Sequence, residues 1–124
     1  MGPHAWADDD FPNVAEWGIQ SFSPGELRSS THPLLNWLAA TGCSHLAIHF
    51  DVDTIDSNEI VLGLGAEPDG LISTEVRRIV ADINTVTDVV EFTIAEFIPR
   101  QVIHLQQILK GFPLMSGTTT TRRQ

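Results

Sequence analysis

Three aspartates stand close together in the stretch HLAIHFDVDTID, at positions 51, 53 and 56. They follow an apolar run directly, so a strand end would hold all three in a small volume. Carboxylates crowded in this way repel one another, and a metal ion is the first candidate to offset the repulsion. Asp51 and Asp53 are two residues apart and point the same way if the backbone stays extended. Two oxygen ligands of one ion need that arrangement, as does a carboxylate bridging two ions. A purely structural alternative stands beside it, in which the same residues cap helices or turns. Glu96 lies near the end of a second strand-like stretch, DVVEFTIAEF at 88–97. In a parallel α/β sheet ligands gather outside the carboxyl ends of the strands, so the two acidic groups can share one rim.

The elements that would position these residues follow from pattern. HLAIHF, 45–50, fits a buried strand of a parallel sheet. VAEWGIQSF, 14–22, alternates apolar and polar residues and predicts an earlier strand. Ser23, Pro24 and Glu26 form a capping-box start to a helix. Thr31-His32-Pro33 interrupts that helix and restarts it before Gly42. Residues 51–72 form a long loop containing Gly63, Gly65, Pro68 and Gly70, and a loop of that length usually carries function. Ser73 is the expected cap of a helix with Val76, Ile79, Val80 and Ile83 at helical spacing. A last helix after Pro99 places Val102, Leu105, Gln106 and Leu109 on one face and stops at Gly111 and Pro113. Strand and helix alternate three times, which implies α/β with a parallel sheet. Residues 1–12 read as a flexible segment, 13–114 as one α/β domain and 115–124 as a disordered polar tail.

Composition narrows the function. The 124 residues suffice for one modest domain, and 42% hydrophobic with 19% charged residues is a globular balance. The net charge of -9 argues against nucleic acid and against anionic membranes as partners. It suits metal ions or cationic substrates, and equally ordinary solubility. Cys43 is the only cysteine, which excludes an internal disulfide and a zinc cluster of thiolates and makes a cytoplasmic setting the expectation. The first ten residues lack the basic start and apolar centre of a signal peptide. Trp6 rules out a myristoylation signal, and no apolar run reaches membrane-spanning length.

Three metal motifs can be compared with the aspartates. An EF-hand loop counted from Asp51 fails, because Ile55 and Asp56 fall where a ligand and a glycine are required. The Asp-x-Asp-x-Thr motif of haloacid dehalogenase-like phosphotransferases is approached, but Thr54 sits one position too early. HFDVDTIDSNEIVLGLGAEPDGL, in contrast, resembles the second metal motif of the arginase/agmatinase (ureohydrolase) superfamily. That motif is a Phe-Asp-x-Asp-x-x-Asp-Pro strand end and a Gly-rich loop closing in Gly-Gly-Leu. The spacing from Asp56 to Gly70-Leu71 agrees without a gap. FTIAEFIPR resembles the family's later signature, an apolar strand ending in Glu-x-x-Pro, with Glu96 and Pro99 in place. WGIQSFSPGEL resembles the strand-and-helix start before the metal strand, so the resemblance spans roughly residues 14–113.

The resemblance implies a three-layer α/β/α fold with a mainly parallel sheet, arginase/deacetylase-like, of which only the C-terminal half is present. It implies manganese-dependent hydrolysis of a linear C–N bond of a guanidino compound, with two Mn²⁺ ions activating a bridging water. On that basis Asp51 would bridge both ions, Asp53 would hold one, and Glu96 would face the guanidinium as a charge-assisted acceptor. Asp56 would be structural, bonding amides of its own turn, and Gly70 would close the loop. His49 shares a face with Asp51 and would lie behind the metal or be a hydrogen-bonded core histidine. Ser57, Val61 and Gly65 replace a proline, a proline and a threonine of the family pattern, which leaves the substrate open. The family's first-half ligands, a lone His and an Asp-x-His-x-Asp cluster, have no counterpart. The isolated chain is therefore expected to bind metal weakly, to show little or no activity, and to expose a sheet edge that invites a homo-oligomer or partner chain. Two alternatives remain: a non-catalytic remnant or interaction subunit that keeps the fold, and a haloacid dehalogenase-like phosphotransferase.

Other residues carry plainer expectations. His32 and His104 read as surface residues, Cys43 as a buried inert thiol, and Trp6, Trp17 and Trp37 as packing residues. His45 and His49, four apart on a strand, are wrongly spaced to share an ion. Gly63 and Gly65 have no lysine after them, which excludes a P-loop, and Arg77-Arg78 reads as a solvated face.

Overall fold

The computed structural model describes residues 16–115. The flexible segment expected at 1–12, and the tail apart from Met115, lie outside them. Along the described chain run α1 (Pro24–Leu27), α2 (His32–Thr41), β1 (His45–Asp51), a 3-10 turn (Val52–Thr54), α3 (Ser73–Val86), β2 (Asp88–Ala95) and α4 (Val102–Leu109). β1 and β2 pair in parallel, with His45 opposite Asp88 and Asp51 opposite Ala95. Parallel neighbours need a crossover, and the loop with α3 supplies it. The class is thus α/β with a parallel sheet, here two-stranded.

Burial alternates along β1. Leu46 and Ile48 pack on the core and Phe50 is buried, whereas His45, Ala47 and His49 are exposed. Val89, Phe92 and Ile94 continue the packed face on β2. A bulge between Leu46 and Ala47 shifts the register, so Ala47 meets Glu91 and Val90 is left 54% exposed. The apolar run of β1 suggested burial on both faces, but the small Ala47 and the two histidines make it a one-sided strand. Helices α1 to α4 cover the packed side with Leu27, Leu34, Leu38, Val76, Ile79, Val80, Ile83, Leu105 and Ile108. Phe50, Phe92 and Phe112 meet there with ring centroids 5.5–6.4 Å apart.

The strand expected at 14–22 is not formed where it is described. Glu16 is helical, Gly18 turns at φ +66°, and residues 19–23 have no regular structure. Its alternation is real, but only Phe22 is buried, while Trp17 (69%) and Ile19 (51%) face solvent. A strand needs a partner for its backbone groups, and none runs beside it among the described residues. The capping box that follows is built: Ser23 Oγ accepts the Glu26 N–H, and Glu26 Oε2 accepts the Ser23 N–H at 2.7 Å. Gly42, at φ +71°, ends α2 in the left-handed conformation its missing Cβ allows.

Other expectations shift by a residue or a face. Ile72, not Ser73, is the cap of α3, and its N–H donates to Glu75 Oε2 at 2.9 Å. Glu59 reaches from the loop to take the Ser73 N–H and hydroxyl at 2.7 and 2.6 Å, which draws Ser73 into the helix. α4 buries Leu105 and Ile108, whereas Val102 (44%) and Gln106 are exposed. Cys43 is exposed rather than buried, because it follows Gly42 out of the helix. Trp37 is half-exposed and packs edge-on to Phe22 at 6.3 Å. No described helix is long and apolar enough to cross a membrane.

Candidate functional site

The register puts Asp51 opposite Ala95, so Glu96 begins one residue beyond the same rim. Past Asp51 the backbone does not stay extended. It coils into the 3-10 turn, and Asp51 Oδ1 accepts the Asp53 N–H at 2.9 Å. Asp51 thus caps the turn that carries Asp53. The turn, rather than the period of an extended strand, sets the relation between the two half-buried carboxylates.

The loop then closes over Asp53. A Cβ added to Gly63 would lie 2.6 Å from Asp53 Oδ1 and 2.7 Å from the Glu96 carbonyl oxygen. One on Gly65 would lie 2.9 Å from Asp53 Oδ2. Only glycine permits this approach, and it brings the Asp53 carboxylate and the Glu96 backbone against one short stretch of loop. The Ile98 N–H donates to the Leu62 carbonyl at 3.0 Å and fixes that closure. By pattern these glycines read as a phosphate cradle without its lysine, and Gly65 as the replacement of a family threonine. Two glycines with one residue between them, opposite an aspartate pair, was the signal of close backbone approach.

Asp56 is engaged in its own turn, where Oδ1 accepts the Asn58 N–H at 2.8 Å. Its backbone N–H donates to the Leu71 carbonyl at 2.9 Å, beside an isolated parallel bridge between Ile55 and Leu71. Gly70 holds the other end of the loop: its carbonyl accepts from Arg28 at 3.3 Å, and Arg28 also pairs with Glu75 at 3.5 Å. Nothing in the sequence pattern singled out Arg28.

Glu96 is exposed and adopts φ +64°, a left-handed conformation that costs a residue with a Cβ about 1–2 kcal/mol. The residue just past β2, where the chain leaves extended geometry, is the one the resemblance placed at the substrate. His49 is exposed on the open face of the sheet, with Nδ1 2.8 Å from Thr93 Oγ1, and is not a core histidine. The packed side of β1 belongs to Leu46, Ile48 and Phe50 instead.

Carboxylate oxygens suit Mn²⁺, but an ion needs more of them than the rim provides. Among the described residues no three His, Cys, Asp or Glu side chains lie close enough together to hold one. These residues therefore do not fit a complete manganese centre, and still less a two-ion one.

No family model matches the sequence, and no curated protein matches it. Solved structures do match its fold. An arginase from Entamoeba histolytica, in complex with L-ornithine, superposes with a TM-score of 0.70 at 17% identity over 88% of this chain. Helicobacter pylori arginase gives 0.65 at 16% identity over 84%, and an arginase from Medicago truncatula 0.52 at 18% over 80%. The fold is thus arginase-like. The chain spans 39%, 37% and 31% of the lengths of those three proteins.

Proposed function

We propose that this chain supplies the carboxylate rim of a ureohydrolase-type hydrolase, as the C-terminal part of its domain. The reaction would be hydrolysis of a linear C–N bond of a guanidino compound, once further ligands complete the metal centre. The observation that carries this reading is the register of the two strands. It aligns Asp51 with Ala95 and so gathers Asp51, Asp53 and Glu96 at one end of a parallel sheet. In the completed domain Asp51 and Asp53 would be two of the oxygen ligands of Mn²⁺, and Glu96 would accept from the guanidinium. The fold neighbours are arginases, which favours this reading over the haloacid dehalogenase-like alternative.

One observation favours a second reading, that of a non-catalytic subunit retaining the fold: the rim lacks a three-donor group among the described residues. Urea release separates the two. With Mn²⁺ and arginine or agmatine, the chain alone is expected to release none. Reconstituted with the first half of an arginase-like domain that carries the remaining ligands, it is expected to release urea, and Asp51→Ala to abolish the release. A reconstituted domain that takes up Mn²⁺ but releases no urea from any guanidino compound supports the second reading.

A further inference from the structure

Positive charge is scarce in this chain, with 7 Lys and Arg against 16 Asp and Glu. Three of the cations nevertheless line one cleft. Thr74, Arg77, Arg78 and Ala81 of α3 form one wall, and Lys110, Gly111 and Phe112 after α4 form the other, around about 320 Å³. No carboxylate lines it. Arg28 pairs with Glu75 and His45 with Asp88, and neither pair includes a cleft cation.

The neighbouring groups hold these cations in place without neutralising them. Arg78 donates to the carbonyls of Leu27 and Arg28 and to the Thr31 hydroxyl, all uncharged acceptors. Its guanidinium is thereby positioned while its charge stays whole. Arg77 reaches the Lys110 carbonyl at 3.4 Å and ties one wall to the other. Glu59, which shares an adjoining cleft with Arg77, bonds Ser73 through both oxygens and forms no ion pair with Arg77. Glu75 is held by Arg28 and by the Ile72 N–H. Three like charges around a cavity raise one another's energy, and an anion in the cavity relieves that.

We propose that this cleft binds a phosphate dianion, free or as the head of a small phosphate monoester. A carboxylate is satisfied by a single guanidinium fork. Arg77 and Thr74 on one wall and Lys110 on the other, with the charge of Arg78 beside them, suit a tetrahedral oxyanion with more oxygens to satisfy. Ala81 and Phe112 give an apolar margin for the body of an ester. The site is separate from the Asp51–Asp53 rim and does not depend on its chemistry.

The test is a titration of the isotopically labelled full chain with inorganic phosphate and with glycerol 3-phosphate at constant ionic strength. The backbone amides of Thr74, Arg77, Lys110 and Gly111 are followed by NMR. Saturating shifts confined to the two walls are expected, with affinity about tenfold lower in Arg77→Gln and in Lys110→Gln. Arg77→Lys keeps the charge and is expected to keep part of the affinity, and Asp51→Ala to leave it unchanged. Tighter binding of glycerol 3-phosphate identifies an ester head, and equal binding identifies phosphate alone. Shifts that never saturate, that chloride reproduces, or that survive both glutamine substitutions overturn the proposal. Arg77 and Lys110 are exposed, so these variants retain the fold.

Discussion

The two faces of the same strand pair meet different surroundings. On one, Leu46, Ile48, Phe50, Val89, Phe92 and Ile94 join a core that four helices cover. On the other, His45, Ala47, His49, Asp88 and Glu91 are exposed. Parallel sheets are ordinarily covered on both faces, so the open side is the unusual one. It agrees with a chain that spans under two-fifths of the arginases it superposes on. The difference separates what this chain packs from what it leaves uncovered. It builds a core and a loop-closed rim, and it leaves a face and the outer strand edges unpaired among the described residues.

Substitutions on the packed side should cost far more than those on the open face. Leu71 is 0% exposed and anchors the loop end to Thr54 and Asp56. Leu71→Ala is expected to destabilise by about 2–5 kcal/mol in urea unfolding, through lost burial and the cavity left behind. A smaller loss of about 1–3 kcal/mol is expected for Gly63→Ala, whose Cβ would meet both Asp53 and the Glu96 carbonyl. Gly65→Ala should cost less, since it meets only the end of the Asp53 side chain. If the two alanines cost the same, the Glu96 backbone is not what confines the loop. On the open face, His49→Ala removes one exposed hydrogen bond to Thr93 and should stay within about 0.5 kcal/mol. A large loss there would mean that this face is covered after all.

The smallest effect concerns pH. The Ser23 backbone N–H, then the Ser23 hydroxyl, hold the Glu26 carboxyl below its ordinary value. A lowered folded-state pKa gives stability that is present above the ordinary glutamate value and lost as pH falls through the lowered one. Glu26→Gln should therefore lower stability slightly at neutral pH and converge with the parent chain in acid, which flattens the acid limb of the profile. An unaltered limb would show that the capping box is not what titrates.

Much of this was legible because it is local. Ser23-Pro24-x-Glu26 specifies its own box, Gly42 its own stop, and Val76, Ile79, Val80 and Ile83 their own buried stripe. The aspartates could be placed at a strand end by the apolar run before them. What pattern missed depends on partners distant in the chain. The segment around Ile19 alternates like a strand but finds no neighbour to pair with among the described residues, and Ser73 is drawn into the helix by Glu59, 14 residues earlier, which leaves Ile72 as the cap. HLAIHF reads as buried, yet which face it buries is decided by where the helices pack. At the rim, Asp51 and Asp53 were identifiable by type and spacing, while the turn that joins them and the glycine seat under Asp53 arise from the loop folding back.

We propose that Asp51 and Asp53 form part of a metal-binding rim that further ligands would complete. Calorimetric titration of the purified chain with Mn²⁺, beside Asp51→Ala and Asp53→Ala, tests it most directly. One weakly held ion, lost in both variants while the fold persists, is the predicted result. Tight uptake of two ions by this chain alone would contradict the incompleteness, and heats unchanged by either substitution would contradict the rim itself.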